Sequence, residues 1–245
     1  MNKTEIIKAI IIVIVIIELV VIASVIYFKI NNKKIDRPKI DINNSNKDID
    51  SPTINNRVNV DEDEKPIIYL YPTTDTEVTV KLGNVDNIAH SYPKYNERWN
   101  VLAKTNGTLI DLDTNRELYS LYYECENKYD FKVEDEGFVV NGEDTISFLE
   151  EKLLLLGLNA KEAEEFIIYW LPRLEVNKYN YIRFATKEEI ESNMPISYSV
   201  MPDSEIRILM TYKPLDCEIK VKEQELITPH RTGFTVVEWG GTRIK

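Results

Sequence analysis

Charged side chains and tryptophans cluster in three short segments of the sequence, and this combination is typical of ligand pockets. An arginine can clamp a carboxylate with two hydrogen bonds, and a tryptophan ring can stack on a sugar or cover a cation. If the segments converge in the fold, we expect one pocket between them. The candidate pocket residues are Glu124, Trp170, Arg173, His230, Arg231, Glu238 and Trp239.

A structural interpretation of the same residues stands beside this one. Trp170 and Trp239 would then belong to the hydrophobic core. Arg173 would pair with Glu175 or with a carbonyl at the end of its helix. The sequence leaves both interpretations open.

Acid–base chemistry is the second hypothesis that these residues raise. Glu124 and Glu238 both lie at the ends of predicted strands, and a glycosidase needs two carboxylates about 5 to 9.5 Å apart. The chain has 41 acidic residues, so some pair will always look suggestive. The two histidines, His90 and His230, both fall in predicted loops, without a G-x-S-x-G or H-x-x-x-H motif. We therefore expect no histidine metal site, no other metal and no cofactor.

Cys125 and Cys217 are the only cysteines, too few for a zinc site of their own. In an exported domain they could pair, which would close a loop of roughly 90 residues and stabilise the fold by up to about 4–5 kcal/mol. Otherwise each is a small apolar side chain. The acidic run at 61–64 lacks the spacing of a calcium loop, and we interpret it as solvated charge.

Alternating apolar residues predict β-strands on both sides of a helical segment. We expect about eight or nine strands. The candidate segments are 66–72, 78–82, 99–103, 108–111, 118–125, 137–140, 181–184, 206–212, 217–221 and 234–239. Asn106-Gly107 predicts a type I′ turn before the fourth of these segments.

The hydrophobic period changes to that of a helix between 144 and 171, where we predict a helical hairpin. Asp144 would cap the first helix and Gly157 would end it. Asn159 and Glu162 have the spacing of a capping box for the second helix, which Pro172 would stop. The fold class that follows is α+β: a sandwich-like or mixed antiparallel β-rich domain with an inserted helical hairpin.

Residues 9–28 are apolar or small except for Glu18, and they predict a transmembrane helix within an anchor at 1–30. Twenty helical residues span roughly 30 Å, the thickness of the hydrocarbon core of a bilayer. A cleavable signal peptide is the alternative, but no A-x-A site follows the run. Glu18 is either tolerated in a very apolar helix or pairs with a second copy. The predicted partner of residues 9–28 is the lipid bilayer.

The orientation of this anchor depends on two opposing signals. Five Lys and Arg residues follow the apolar run and two precede it, which by the positive-inside rule keeps the domain in the cytoplasm. A short N-terminal tail, a polar linker at 31–64 and a β-rich domain at 65–245 fit export instead. We favour a single-pass membrane protein with an extracytoplasmic domain.

Net charge limits the choice of partners. The formal charge is −11, and no basic patch stands out, so the sequence argues against nucleic acid as a partner. For an exported domain the remaining candidates are a cell-wall polymer or a protein of the cell envelope.

Four segments of the domain carry a resemblance to known sequences. Residues 65–72, KPIIYLYP, resemble the KPVIYLYP signature of a family of uncharacterised proteins. LYSLYYE at 118–124, GFVV at 137–140 and LLLLGLNAKEAEEFIIYWLPRL at 153–174, with its YWLP element, are similar to later parts of that family. The resemblance implies a shared exported domain. It implies no activity, substrate or catalytic residue.

Three functions are compatible with these features. The first is a binding or structural module of the cell envelope without catalytic activity, and the alternative is a hydrolase that acts on an envelope polymer. The third is an assembly component in which Glu18 associates membrane helices. A hydrolase predicts a cleft with converging acid–base groups, whereas a binding module predicts a shallow groove or an exposed aromatic patch. We favour the binding module.

Overall fold

Thirteen β-strands and three α-helices lie in residues 65–125 and 131–244, which are the residues that this computed structural model describes. The first eight strands are β1 (Ile67–Tyr71), β2 (Thr76–Leu82), β3 (Ile88–Tyr92), β4 (Trp99–Ala103), β5 (Leu109–Asp111), β6 (Glu117–Leu118), β7 (Leu121–Cys125) and β8 (Glu136–Asn141). The helices are α1 (Thr145–Leu155), α2 (Ala160–Leu174) and α3 (Lys187–Asn193). The remaining strands are β9 (Tyr179–Phe184), β10 (Ile196–Tyr198), β11 (Ser204–Leu215), β12 (Lys222–Glu223) and β13 (Thr235–Arg243).

The strands form two sheets. The larger sheet has the order β12-β8-β9-β11-β13-β1-β7-β3, and the smaller has the order β10-β2-β4-β5-β6. Pairing is antiparallel except between β11 and β13 and between β12 and β8. The larger sheet is therefore mixed.

Two hydrophobic cores lie on the two faces of the larger sheet. In β1 the residues Ile68 and Leu70 contribute to the core shared with the smaller sheet, which we call the sandwich core. Ile67 and Tyr69 contribute to the core shared with α1 and α2, which we call the helix-side core. Side chains of successive strand residues point to opposite faces, so one fully apolar strand serves both cores. The described residues thus form a β-rich, sandwich-like α+β domain.

The helical hairpin forms where the sequence predicts it, and Gly157, with a φ of +89°, follows the end of α1 as predicted. Asn159 and Glu162 form the predicted capping box of α2. Asp144 makes no side-chain cap to α1, so that prediction is wrong. The prediction that Pro172 ends the second helix is also wrong, because α2 continues to Leu174. Pro172 lies on the exposed face, near Ile168, which is 67% exposed, so water can reach the carbonyl that loses its helical donor.

Several strand predictions need correction. The segment 118–125 is two strands in different sheets, because the chain turns at Tyr119-Ser120 between β6 and β7. No strand occupies 217–221, and His90 lies in β3 and not in a loop. The number of strands is larger than predicted because several have only two or three residues.

Two glycines behave differently from the prediction, each for a local reason. β13 continues through Gly241, where an added Cβ would lie 2.7 Å from the Trp170 ring, so glycine allows helix and sheet to approach closely. The turn between β4 and β5 is not type I′, because only Gly107 of its two central residues has a positive φ, +85°. It is a type I turn closed by a left-handed glycine, a common three-residue hairpin loop.

The two cysteines and the N-terminal segments are the remaining subjects of the sequence predictions. No disulfide joins Cys125, which is half-buried, to Cys217, which is exposed. Residues 1–64, with the predicted anchor, Glu18 and the linker, lie outside the described residues. Within residues 65–125 and 131–244, no helix is long and apolar enough to cross a membrane.

Candidate functional site

A pocket of about 490 Å³ opens on the helix side of the larger sheet, next to its β3 edge. We call it the tyrosine pocket, because tyrosines from four parts of the chain line it. Its tyrosines and half-buried charges are Lys65, Tyr92, Tyr119, Tyr122, Glu124 and Tyr169. The volume lies within the range of small-ligand sites.

Strand alternation in β7 places two of these side chains. Leu121 and Tyr123 are buried in the sandwich core. Tyr122 and Glu124, one position along in each case, face the opposite side of the sheet and line the pocket. The Tyr122 hydroxyl donates a hydrogen bond to the Glu124 carboxylate, and burial together with this carboxylate raises the pKa of Tyr122.

A turn and the end of a strand supply the two more exposed tyrosines. Tyr119 lies in the turn between β6 and β7, and Tyr92 is the last residue of the edge strand β3. Each is 52% exposed, so both present ring surface to solvent. Tyr169 reaches the pocket from α2. The pocket is therefore accessible to solvent at these two tyrosines.

Lys65 lies at the wall of the pocket with a strained backbone. Its φ is +40°, a left-handed conformation that costs a non-glycine residue about 1 kcal/mol or more. Its ammonium group is 4.5 Å from the centroid of the Tyr169 ring and 5.8 Å from that of Trp239. Burial lowers the pKa of Lys65, and the nearby carboxylates of Glu165 and Glu124 offset part of that effect. Strain of this kind is typical of functional sites.

A hydrogen-bonded chain connects the wall of the pocket to the helix-side core. Trp239 Nε1 donates to the Tyr69 hydroxyl at 3.2 Å, and Tyr69 donates to Glu165 Oε2 at 2.5 Å. Burial, followed by this carboxylate, raises the pKa of Tyr69. The chain fixes Glu165 beside Lys65 before any ligand arrives.

Two of the residues predicted for a pocket lie at this one. Glu124 lines it. Arg173 contacts Tyr169, which lines the pocket. Its guanidinium carbon is 4.0 Å from the centroid of the Tyr169 ring, and its Nη1 donates a hydrogen bond to the Tyr169 carbonyl at 2.7 Å. Trp170 and Trp239 are fully buried in the helix-side core.

Glu238 lies on the other face of the sheet from Glu124. It is 4% exposed in the sandwich core, where it accepts a hydrogen bond from the Tyr123 hydroxyl at 2.6 Å and pairs with Arg207. Burial opposes the charge of Arg207, but Glu238 outweighs it and raises the pKa of Arg207. Glu124 and Glu238 therefore do not flank one substrate site.

His230 and Arg231 lie at a fourth place. Arg231 pairs with Glu162, which is fully buried, and its Nε donates to the Gly157 carbonyl at 2.9 Å. His230 is exposed, and its backbone carbonyl accepts a hydrogen bond from Ser204. The structure thus distributes the seven predicted residues over four separate environments.

Sequence reasoning missed Lys65, Glu165 and the pocket tyrosines. One signal was available: LYSLYYEC, at 118–125, alternates so that Tyr122 and Glu124 share a face. The contribution of Lys65 depends on a left-handed backbone and on α2, which is distant in sequence, and no local pattern predicts either.

Comparisons with known proteins give one partial match. The chain is 41% identical over 51 residues to an uncharacterized protein in the bglA 3' region of Butyrivibrio fibrisolvens. The match covers 20% of this chain and 53% of that protein, so it spans about half of the relative's length. No protein-family profile and no solved structure matches the chain.

Proposed function

We propose that this chain is a non-catalytic binding module of the cell envelope and that the tyrosine pocket is its binding site. The observation that carries the proposal is the preformed pocket itself, in which four tyrosines surround Lys65 and Glu124. Tyrosines supply large contact area at a low cost in side-chain entropy, and they are common in binding sites for that reason. A hydrogen-bonded wall reduces the ordering that a ligand would have to induce.

Attachment to a membrane belongs to the same proposal. The apolar run at 9–28 supports a single transmembrane anchor, and the polar composition of 31–64 supports a linker between the anchor and the domain. The proposed localisation is the cell membrane with the domain outside the cytoplasm. Membership of the KPVIYLYP family is part of this proposal and is supported by residues 65–72.

Binding is favoured over hydrolysis by the positions of the carboxylates. Glu124 faces the pocket, whereas Glu238 is buried on the opposite face and neutralised by Arg207. Glu165 accepts a hydrogen bond from Tyr69 within the wall. An acid–base pair on the two sides of a bound substrate is not formed by Glu124 and Glu238.

Retention on isolated bacterial cell walls tests the proposal. The full chain, purified in detergent, is mixed with insoluble walls and the bound fraction is measured. We expect wild type to be retained and the Tyr92→Ala/Tyr119→Ala double variant to bind about tenfold more weakly, because the exposed ring surface is lost.

Tyr179→Ala is the matched control. Tyr179 is a partly buried tyrosine of the same domain, and it lies on β9, three strands from β1. Its removal should leave retention unchanged. Wild-type protein that is not retained, or retention that the double variant matches, would overturn the proposal.

A further inference from the structure

The charges around the tyrosine pocket balance. Lys65, Lys161 and Arg173 are the cations, with Lys161 4.7 Å from the Tyr119 ring centroid and Arg173 on the Tyr169 ring. Glu117, Glu124 and Glu165 are the anions that line the pocket or face Lys65. An anionic or cationic ligand would upset this balance, and an uncompensated charge is costly in a partly buried site.

The polar atoms of the pocket suit hydroxyl groups. Glu124 accepts from one tyrosine hydroxyl, and its remaining lone pairs can accept from a ligand. Lys65 has three N–H donors beside them, and Ser120 adds a hydroxyl at the rim. Acceptors and donors placed side by side match vicinal hydroxyls, each of which is both donor and acceptor.

The aromatic atoms of the pocket suit a ligand with flat apolar faces. Tyr92 and Tyr119 each leave about half of the side chain exposed, and Tyr122 and Tyr169 supply the inner wall. A pyranose ring has C–H groups on its two faces and hydroxyls around its edge. Such a ring would stack on tyrosine while its edge meets Glu124 and Lys65.

From this combination we infer that the ligand of the tyrosine pocket is an uncharged saccharide, bound as one or a few sugar units of a longer chain. This inference rests on the proposed function and names the class of ligand for the same site. Tyr92 and Tyr119, each 52% exposed, leave the pocket accessible from solvent, as binding to part of a longer chain requires.

Calorimetric titration of the full chain in detergent tests the inference. The probes are soluble neutral oligosaccharides (cellotetraose, xylotetraose, maltotetraose and chitotetraose), with tetragalacturonate as the anionic comparison and an uncharged tetrapeptide as the peptide comparison. We expect at least one neutral oligosaccharide to bind and the two comparison ligands not to bind. Tyr119→Ala and Glu124→Gln should each weaken that binding about tenfold, and Tyr179→Ala should not change it.

The outcomes separate this inference from the proposed function. Retention on cell walls that depends on Tyr92 and Tyr119, without binding of any neutral oligosaccharide, would overturn the inference and leave the proposed function standing. Preferential binding of tetragalacturonate or the peptide would overturn it as well. Binding of a neutral oligosaccharide that Tyr119→Ala and Glu124→Gln do not weaken would overturn the assignment to this pocket. Unfolding followed by tryptophan fluorescence checks that each variant is folded, because Trp99, Trp170 and Trp239 all lie in the described domain.

Discussion

At the scale of single residues, two charged groups with similar sequence surroundings have different roles because of burial. Glu124 is half-buried at the pocket, whereas Glu238 is 4% exposed and paired with Arg207. Removal of one partner leaves a buried charge uncompensated, which is more costly than the pair itself is stabilising. Glu238 is therefore a structural residue, and its substitution should change stability.

Glu238→Gln should lower the free energy of unfolding by about 3 kcal/mol, because Arg207 then keeps its charge in the sandwich core without a carboxylate. Urea unfolding of the full chain, followed by tryptophan fluorescence, measures this change. Glu124→Gln is the matched control and should change stability by less than about 0.5 kcal/mol. Equal stability of Glu238→Gln and wild type would contradict the structural role.

At the scale of elements, capping boxes set the starts of α2 and α3. In α2 the Asn159 side chain accepts from the Glu162 amide at 3.0 Å, and Glu162 accepts from the Asn159 amide at 2.8 Å. In α3 the same arrangement joins Thr186 to Glu189, and Glu189 also pairs with Arg183 at 3.0 Å. These caps satisfy amides that the helix itself leaves without partners.

Asn159→Ala should destabilise the domain by about 1 kcal/mol, because the first turn of α2 loses its side-chain cap. Chemical denaturation with tryptophan fluorescence is again the measurement. Glu164→Ala, an exposed position on the same helix, should have an effect within about 0.5 kcal/mol. A loss for Asn159→Ala no larger than that of Glu164→Ala would contradict the role of the cap.

The α3 cap predicts a dependence of stability on pH. Burial opposes the charge of Glu189, but hydrogen bonds from the Thr186 amide and from Arg183 outweigh it and lower the pKa of Glu189. A lowered folded-state pKa means that the contribution is fully present above the ordinary value of 4.5 and is lost as the pH falls through the folded-state pKa.

Glu189→Gln should therefore be less stable than wild type at neutral pH, and the difference should shrink below about pH 4.5. Denaturant titrations from neutral pH to about pH 3 provide the measurement, with Glu188→Gln as the variant that removes a charge from the same turn. A difference that stays constant or grows as the pH falls would contradict the assignment.

The sequence predicts an element well where residues close in sequence determine it, and poorly where contacts between distant segments determine it. The alternation in β2 and β4, the buried run of β1 and the α2 capping box are local, and the structure confirms each of them. The continuation of β13 through Gly241 depends on pairing with β11 and on close approach by Trp170, which are contacts between distant segments. The tyrosine pocket also depends on contacts between distant parts of the chain, because four separated segments form it.

At the scale of the whole molecule, the strict alternation of β1, β7 and β13 separates the two faces of the larger sheet. One face packs on the smaller sheet and carries the buried charge pair, while the other packs on the helices and carries the pocket. The sequence predicted a sandwich-like α+β domain and a strand in which Glu238 and Trp239 face opposite sides, but it could not show that both faces of that strand are buried. Structural and ligand-facing charges are divided between the two faces.

The exposed thiol of Cys217 offers a test of the proposed orientation. In intact cells a membrane-impermeant maleimide should label the full chain, because the domain would lie outside the cytoplasm. Labelling should be lost in Cys217→Ser. Labelling that requires lysis of the cells would contradict an extracytoplasmic domain.

The proposed function requires that the tyrosine pocket contacts the ligand. Its most direct test is tyrosine footprinting: the full chain is nitrated in the presence and absence of cell walls, and each site is quantified by mass spectrometry. We expect bound walls to protect Tyr92 and Tyr119 from nitration and to leave the nitration of Tyr179 unchanged. Equal nitration of Tyr92 and Tyr119 with and without walls to which the protein is bound would contradict it.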